Sequence, residues 1–155
     1  MEKHHVATGE AAKLDDILCF AIYSTNLAVN RVYKPLLDKL GLTYPQFLVL
    51  VALYKQDDQT VGDLGTQLFL DSSTLTPLLK RMESAGYLTR QRDPADERQV
   101  RIRLTRRGRS AREKSVGFLD GLVSSRGLDP AAYVQLREEL TKLRDNLFKV
   151  ARTNR

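Results

Sequence analysis

The chain has a single cysteine, Cys19, among its 155 residues. That excludes an intrachain disulfide and a cysteine-based zinc site, so any disulfide must involve a second subunit or a small thiol. Histidine is almost as scarce. Both residues, His4 and His5, sit near the start, and no histidine or cysteine cluster follows them. No metal site and no cofactor are expected, and residues 1–12 read as a disordered tail. No apolar run approaches the roughly 20 residues needed to cross a bilayer. Met1–Glu10 also lacks the apolar centre of a signal peptide. These absences predict a cytoplasmic protein with no membrane partner. Internal repeats and low-complexity linkers are missing too, so residues 13–155 are expected to form one domain.

What is present is cationic and unevenly placed. The net charge is +6 and the sequence pI is about 9.6. Between Arg90 and Arg112 there are nine arginines against three acids, a surplus equal to the net charge of the whole chain. An ordinary solvated surface mixes its charges, so this segment reads as an anion-binding stripe. Composition alone does not separate DNA from RNA or a membrane surface. The order of elements has to decide.

Leu14, Ile17, Leu18, Ala21, Ile22, Leu27 and Ala28 recur at helical spacing and predict a first helix over about 13–33, with a kink or restart at Pro35 and a stop at Gly41. Thr43 is a candidate N-cap for a strongly apolar helix over Phe47–Tyr54. A polar turn is expected over Gln56–Thr60, then a short helix over Val61–Leu68. Asp71 or Ser72 caps the next helix, whose Leu75, Leu78, Leu79 and Met82 face inward. Two short helices so closely joined are a helix-turn-helix arrangement. Tyr87–Arg92 and Val100–Leu104 alternate on either side of the turn-forming Asp93-Pro94-Ala95-Asp96, which predicts a hairpin with an apolar face and an arginine face. Thr105 then caps a helix to about Ser125, and Pro130 opens a last amphipathic helix with Tyr133, Leu136, Leu140, Leu143 and Leu147 in its stripe. The terminal helices carry more apolar surface than a small DNA-binding core needs, which predicts a homodimer.

In this order the sequence resembles the MarR family of winged-helix regulators over about Leu14–Val150. The motifs are Val61-Gly-Asp-Leu-Gly, Asp71-Ser-Ser-Thr-Leu-Thr-Pro-Leu-Leu-Lys-Arg-Met-Glu, Gly86-Tyr-Leu, and Asp96-Glu-Arg98-Gln-Val-Arg101, which fits the family's Asp-x-Arg-x-x-Arg pattern. The fold class implied is mainly α with a small β-hairpin wing (α+β), a winged helix-turn-helix. Residues 43–105 would form the DNA-binding region, and 13–42 and 106–155 the dimerisation helices. The stretch Leu18-Cys19-Phe20-Ala21-Ile22-Tyr23, with Tyr33 and Tyr44, resembles the organic-hydroperoxide-sensing repressors (the OhrR type). Some relatives carry a second, resolving cysteine near the C-terminus. Its absence here resembles the single-cysteine branch.

The resemblance and the spacing together assign roles. Ser72, Ser73, Thr74, Thr76 and Pro77 occupy the start of the recognition helix, where base edges are met, and Lys80 and Arg81 would neutralise phosphate. Ser72 can serve as cap, contact, or both. Arg98 lies at the wing turn, where a guanidinium can enter the minor groove. Asp96 would orient Arg98 or Arg101, while Arg90, Arg92 and Arg101 would contact backbone phosphates. The expected partner is double-stranded DNA with a pseudo-palindromic operator. Cys19 near a helix start, behind Asp15 and Asp16, lies where the dipole favours an anion. Tyr23 at i+4 shares its face. Tyr33 is 14 residues on, about 21 Å along a helix, so it can reach only the partner's Cys19. The resemblance implies the same for Tyr44.

The resulting expectation is a repressor, not an enzyme, whose Cys19 is oxidised by an organic hydroperoxide and then either capped by a low-molecular-weight thiol or over-oxidised into a locked, derepressed form. A peroxidase would need a paired base or second thiol. The alternative is a regulator released by a phenolic or apolar ligand, with Cys19 an ordinary core residue. A purely architectural DNA binder would respond to neither oxidant nor ligand.

Overall fold

The computed structural model describes residues 13–125, 127 and 129–153, with the side chains of 119–125 left out. The expected tail over 1–12 lies outside the described residues. The chain divides into two compact units, residues 1–116 and 117–155.

The first unit starts with a 3-10 turn over Leu14–Asp16 and then α1, Leu18–Leu40. Pro35 sits inside α1 without ending it. Proline removes its own N–H from the ladder and crowds the carbonyl four residues back, and the buried Leu36 and Leu37 that follow hold the turn in place. Of the kink or restart expected at Pro35, the restart does not occur, and the helix starts five residues later than expected. Gly41 ends it in the left-handed region at φ 63°, the conformation a glycine C-cap supplies.

Thr43 opens α2, Tyr44–Lys55, through a reciprocal capping box with Gln46. Phe47, Val49, Leu50 and Leu53 are all nearly inaccessible, so this helix is the centre of the core. The expected polar turn after it is partly strand. Gln59–Thr60 form β1, which pairs antiparallel with β3, Val100–Leu104. Gln59 explains the difference. Its buried amide donates to the carbonyls of Ala52 and Gln56 at 3.3 and 2.6 Å and accepts from Gln67. A polar side chain so fully satisfied fixes the segment against α2 and the following helix.

α3, Val61–Leu68, has its own capping box between Thr60 and Asp63. The turn to α4, Ser72–Ser84, is tight. A Cβ on Gly65 would stand 2.7 Å from the Leu70 carbonyl, and Phe69 takes the left-handed conformation at φ 57°. Asp71, not Ser72, caps α4 through Thr74 N–H at 2.8 Å, which settles the alternative left open by the sequence. Leu75, Leu79 and Met82 of α4 are fully buried.

β2, Leu88–Arg92, and β3 form the hairpin, with β3 central in the order β1-β3-β2. Leu88, Ile102 and Leu104 face the core, while Thr89 and Arg103 are exposed. α5, Arg106–Ser125, is capped by Thr105, whose Oγ1 accepts from Gly108 N–H at 3.1 Å. α6, Pro130–Thr153, lies in the second unit and buries none of its residues within the chain.

Candidate nucleic-acid interface and thiol site

α4 and the wing flank a groove of about 560 Å³. Ser72 and Thr76 line it from the start of α4, Arg90 and Arg98 from the hairpin, and Thr60 and Asp63 from the start of α3. Ser72, Ser73, Thr74 and Pro77 are exposed and Thr76 partly so, on the helix face opposite the buried leucines. Ser73 donates to the Asp71 carboxylate at 2.5 Å. That bond, with the Thr74 backbone N–H, holds Asp71 ionised below the usual carboxylate range. Lys80 and Arg81 are exposed further along the helix.

The wing loop runs from Asp93 to Gln99 and is closed by its own backbone. Asp93 N–H donates to Gln99 O, and Gln99 N–H to Asp96 O, each at 2.9 Å. Asp96 orients Arg98 and not Arg101, as one of the two sequence alternatives had it. Arg98 Nε and Nη2 donate to the two carboxylate oxygens at 3.0 and 3.3 Å, while the arginine side chain is 91% exposed. A guanidinium presented in a fixed direction to solvent is a preformed anion probe.

The other arginines of the stripe differ in freedom. Arg92 is exposed at the end of β2. Arg90 donates its backbone N–H to Glu83 Oε1 at 2.9 Å and pairs weakly with the same carboxylate, so it ties the hairpin to α4. Arg101 is turned inward. Its Nε meets Asp58 at 2.7 Å, its Nη1 meets Asp93 at 3.2 Å, and its Nη2 meets the Asp58 carbonyl at 2.5 Å. Asp57 and Asp58, which gather several of these arginines, drew no attention in the sequence. The sequence offers no sign of this role, because the acidic pair stands about thirty residues before the basic segment that begins at Arg90.

Cys19 is exposed and lies in the first turn of α1, nearer the helix start than the periodicity placed it. Asp15 and Asp16 belong to the preceding 3-10 turn. Tyr23 is one turn on and also exposed, its ring 6.4 Å from that of Phe20. The unbroken helix keeps Tyr33 away from Cys19 of its own chain. Instead Tyr33 is buried edge-on against Tyr44, ring centres 5.0 Å apart, with Phe47 at 6.0 Å. The four residues therefore fall into two groups, Cys19 with Tyr23 near one end of α1 and Tyr33 with Tyr44 toward the other.

Residues 31–114 match the family of the transcriptional regulator SarA/Rot. The chain is 45% identical over 140 residues to the organic hydroperoxide resistance transcriptional regulator of Bacillus subtilis, a match covering 88% of this chain and 93% of that one. The chain belongs to the SarA/Rot family. It is a DNA-binding transcriptional regulator of the OhrR/MarR type, with a winged-helix fold. Among solved structures, reduced AbfR bound to DNA superposes with a TM-score of 0.76 at 32% identity, covering 88% of this chain and 94% of that chain. AbfR of Staphylococcus epidermidis is also known overoxidised and bound to DNA (TM-score 0.74, 34% identity, 86% and 94% covered) and as a disulfide form (TM-score 0.61, 33% identity, 88% and 91% covered). BpsR of Bordetella bronchiseptica, whose DNA binding is regulated by 6-hydroxynicotinic acid, superposes with a TM-score of 0.79 at 26% identity, covering 88% and 99%.

Proposed function

We propose that this regulator is a cytoplasmic homodimeric repressor that senses organic hydroperoxides through Cys19. The observation that carries this reading is the separation of Cys19 and Tyr23 from the Tyr33–Tyr44 pair along the unbroken α1, with Tyr44 at the start of α2. Cys19 and Tyr23 stand open near one end of α1, and the Tyr33–Tyr44 pair is fixed toward the other. Antiparallel pairing of two α1 helices would bring each thiol to the partner's tyrosines. Hydroxyl donors there would stabilise a thiolate without adding charge. The apolar residues that α1 leaves outside, Leu18 at 59% exposure together with Ile22, Leu27 and Val32, supply a face for that pairing. The one-domain division, with 13–42 and 106–155 as dimerisation helices, belongs to the same proposal.

On DNA, the start of α4 would lie in the major groove, with Ser72, Ser73, Thr74, Thr76 and Pro77 toward the bases and Lys80 and Arg81 toward phosphate. Arg98, held by Asp96, would enter the minor groove, and Arg92 would meet phosphate. Arg101 serves this surface chiefly by holding the hairpin in place, because its guanidinium is occupied by Asp58 and Asp93, while Arg90, only weakly paired with Glu83, would meet phosphate from the groove.

Sensing follows ordinary thiol chemistry. The Cys19 thiolate attacks the distal peroxide oxygen. The O–O bond breaks, an S–O bond forms, and the alkoxide leaves and takes up a proton. The sulfenic acid then condenses with a low-molecular-weight thiol, giving a mixed disulfide and water. With overoxidised AbfR known on DNA, the bulky disulfide is the better candidate for the releasing form. It would force the paired helices apart and change the spacing of the two recognition helices. The thiol is consumed once per signal, so no catalytic turnover is expected.

The test treats the purified protein with cumene hydroperoxide and a small thiol, following DNA release and the mass of the Cys19 peptide together. Cys19→Ser is expected to bind DNA as the unmodified protein does and to stay bound after oxidant. An inducible Cys19→Ser protein would reject the sensor assignment. The competing ligand-released reading draws on BpsR and takes the ligand in a pocket between the dimerisation and DNA-binding regions. It predicts release by an aromatic acid such as 6-hydroxynicotinic acid with Cys19 unmodified.

A further inference from the structure

Asp57 and Asp58 lie in the short turn between α2 and β1, far from the basic stretch in sequence and against three of its arginines in the fold. As point charges beside a DNA-binding surface they should only repel phosphate. Their bonding is different. The Asp58 carboxylate receives Arg101 at 2.7 Å and Arg103 at 2.9 Å, and its backbone carbonyl receives Arg101 again at 2.5 Å. Asp57 accepts the Leu104 backbone N–H and the Asp58 N–H, each at 2.9 Å, and pairs with Arg109 at the start of α5. Arg101 continues to Asp93, where the wing loop leaves β2. Two adjacent acids thus hold the central strand, the loop that carries Arg98, and the helix after the hairpin.

The backbone supports the same assignment. Asp58 has φ 57°, in the left-handed region that only glycine, asparagine and aspartate visit at small cost. This conformation presents its carbonyl and its carboxylate to the same guanidinium. An ordinary surface acid needs neither the conformation nor two arginines.

We propose that the Asp57–Asp58 turn positions the wing for DNA, so that removing the Asp58 carboxylate weakens binding although it makes the protein more cationic. Asp58 touches no DNA in this assignment. It acts through Arg101 and Asp93 on the direction of the loop that presents Arg98. The inference rests on the wing reading of the preceding subsection.

Asp58→Asn is the informative variant, because asparagine keeps the left-handed backbone and loses only the charge. The probe is the duplex that the unmodified protein itself selects from a randomised pool. Asp58→Asn is expected to bind it about tenfold more weakly, the size of one lost directional arginine contact. Amide exchange should quicken over residues 88–104 while α4 keeps its protection, a local change that general destabilisation would not produce. Glu97→Gln removes the same charge from an exposed wing residue that has no hydrogen bond among the described residues, and should bind equally or more tightly. Equal or tighter binding by Asp58→Asn would overturn the proposal. If Asp58→Asn loses protection everywhere, Arg101→Lys decides instead, since it keeps the charge and loses the planar fork. Weaker binding with a looser wing supports the proposal, and unchanged binding rejects it. Failure of the unmodified protein to select any duplex would reject the DNA reading itself, an outcome distinct from the others.

Discussion

Arg98 and Arg101 are three residues apart in one motif and have opposite surroundings. Arg98 is almost wholly exposed and steered by Asp96, whereas the Arg101 side chain is 30% exposed and held by two carboxylates. Arg98→Ala is therefore expected to cost about 1–3 kcal/mol of DNA binding and to relax selectivity where the wing meets the groove, checked by anisotropy on variant duplexes. Arg92→Ala should weaken binding evenly across sequences and lower the salt slope by about one. The Asp96–Arg98 pair was legible because its members are two residues apart. The inward turn of Arg101 was not, since its partner Asp58 is 43 residues away and only the folded sheet brings them together. The guanidinium groups of Arg103 and Arg101 hold Asp58 at about 2, below the ordinary 3.8. A carboxylate depressed on folding contributes fully above its unfolded value and loses that contribution as pH falls from 3.8 toward 2. The stability difference between the unmodified protein and Asp58→Asn should accordingly be flat at neutral pH and vanish toward pH 2. A difference that fades between pH 8 and 6 would contradict the pairing.

Among the elements, capping chemistry was the most readable feature. Thr43 and Thr105 each begin the helix that their neighbours' periodicity required, because a cap acts within three residues and needs no tertiary partner. The two-residue β1 was hidden for the opposite reason. Its strand character comes from pairing with Ile102 and Arg101, and from a glutamine whose amide is satisfied only when α2 and α3 are both in place. Tyr87 shows another such link. Its hydroxyl donates to the Leu40 carbonyl at the C-terminus of α1, and Arg107 lies over its ring at 4.7 Å. Tyr87→Phe should cost about 1–2 kcal/mol by leaving that carbonyl unpaired, measurable in a denaturant melt. Gly108 sits where a Cβ would be 2.1 Å from the Tyr87 carbonyl. Gly108→Ala must push α5 from the hairpin, at about 1–3 kcal/mol, because the Tyr87 backbone it meets cannot swing aside as a side chain would.

At the scale of the whole molecule, the winged helix could be read because its pieces are consecutive and each has a local signature. The association of chains could be inferred only from surface left over. α6 exposes Leu136, Leu140 and Leu147 along one stripe, the last at 56%, as α1 does with its own leucines. Leu136→Arg with Leu140→Arg is expected to yield monomers by sedimentation and to abolish tight binding to a two-half-site duplex, while the isolated wing and recognition helix stay folded. The acid-anchored base of the wing has a further consequence for protein engineering. Its anchors reach the hairpin through β3, α5 and Asp93, and leave the side chains of Pro94, Ala95 and Glu97 outside the network, with Arg98 paired only to Asp96. Those tip positions form an exchangeable cassette on a fixed mount. Grafting tips of other composition there should retune groove preference without redesign of the scaffold beneath.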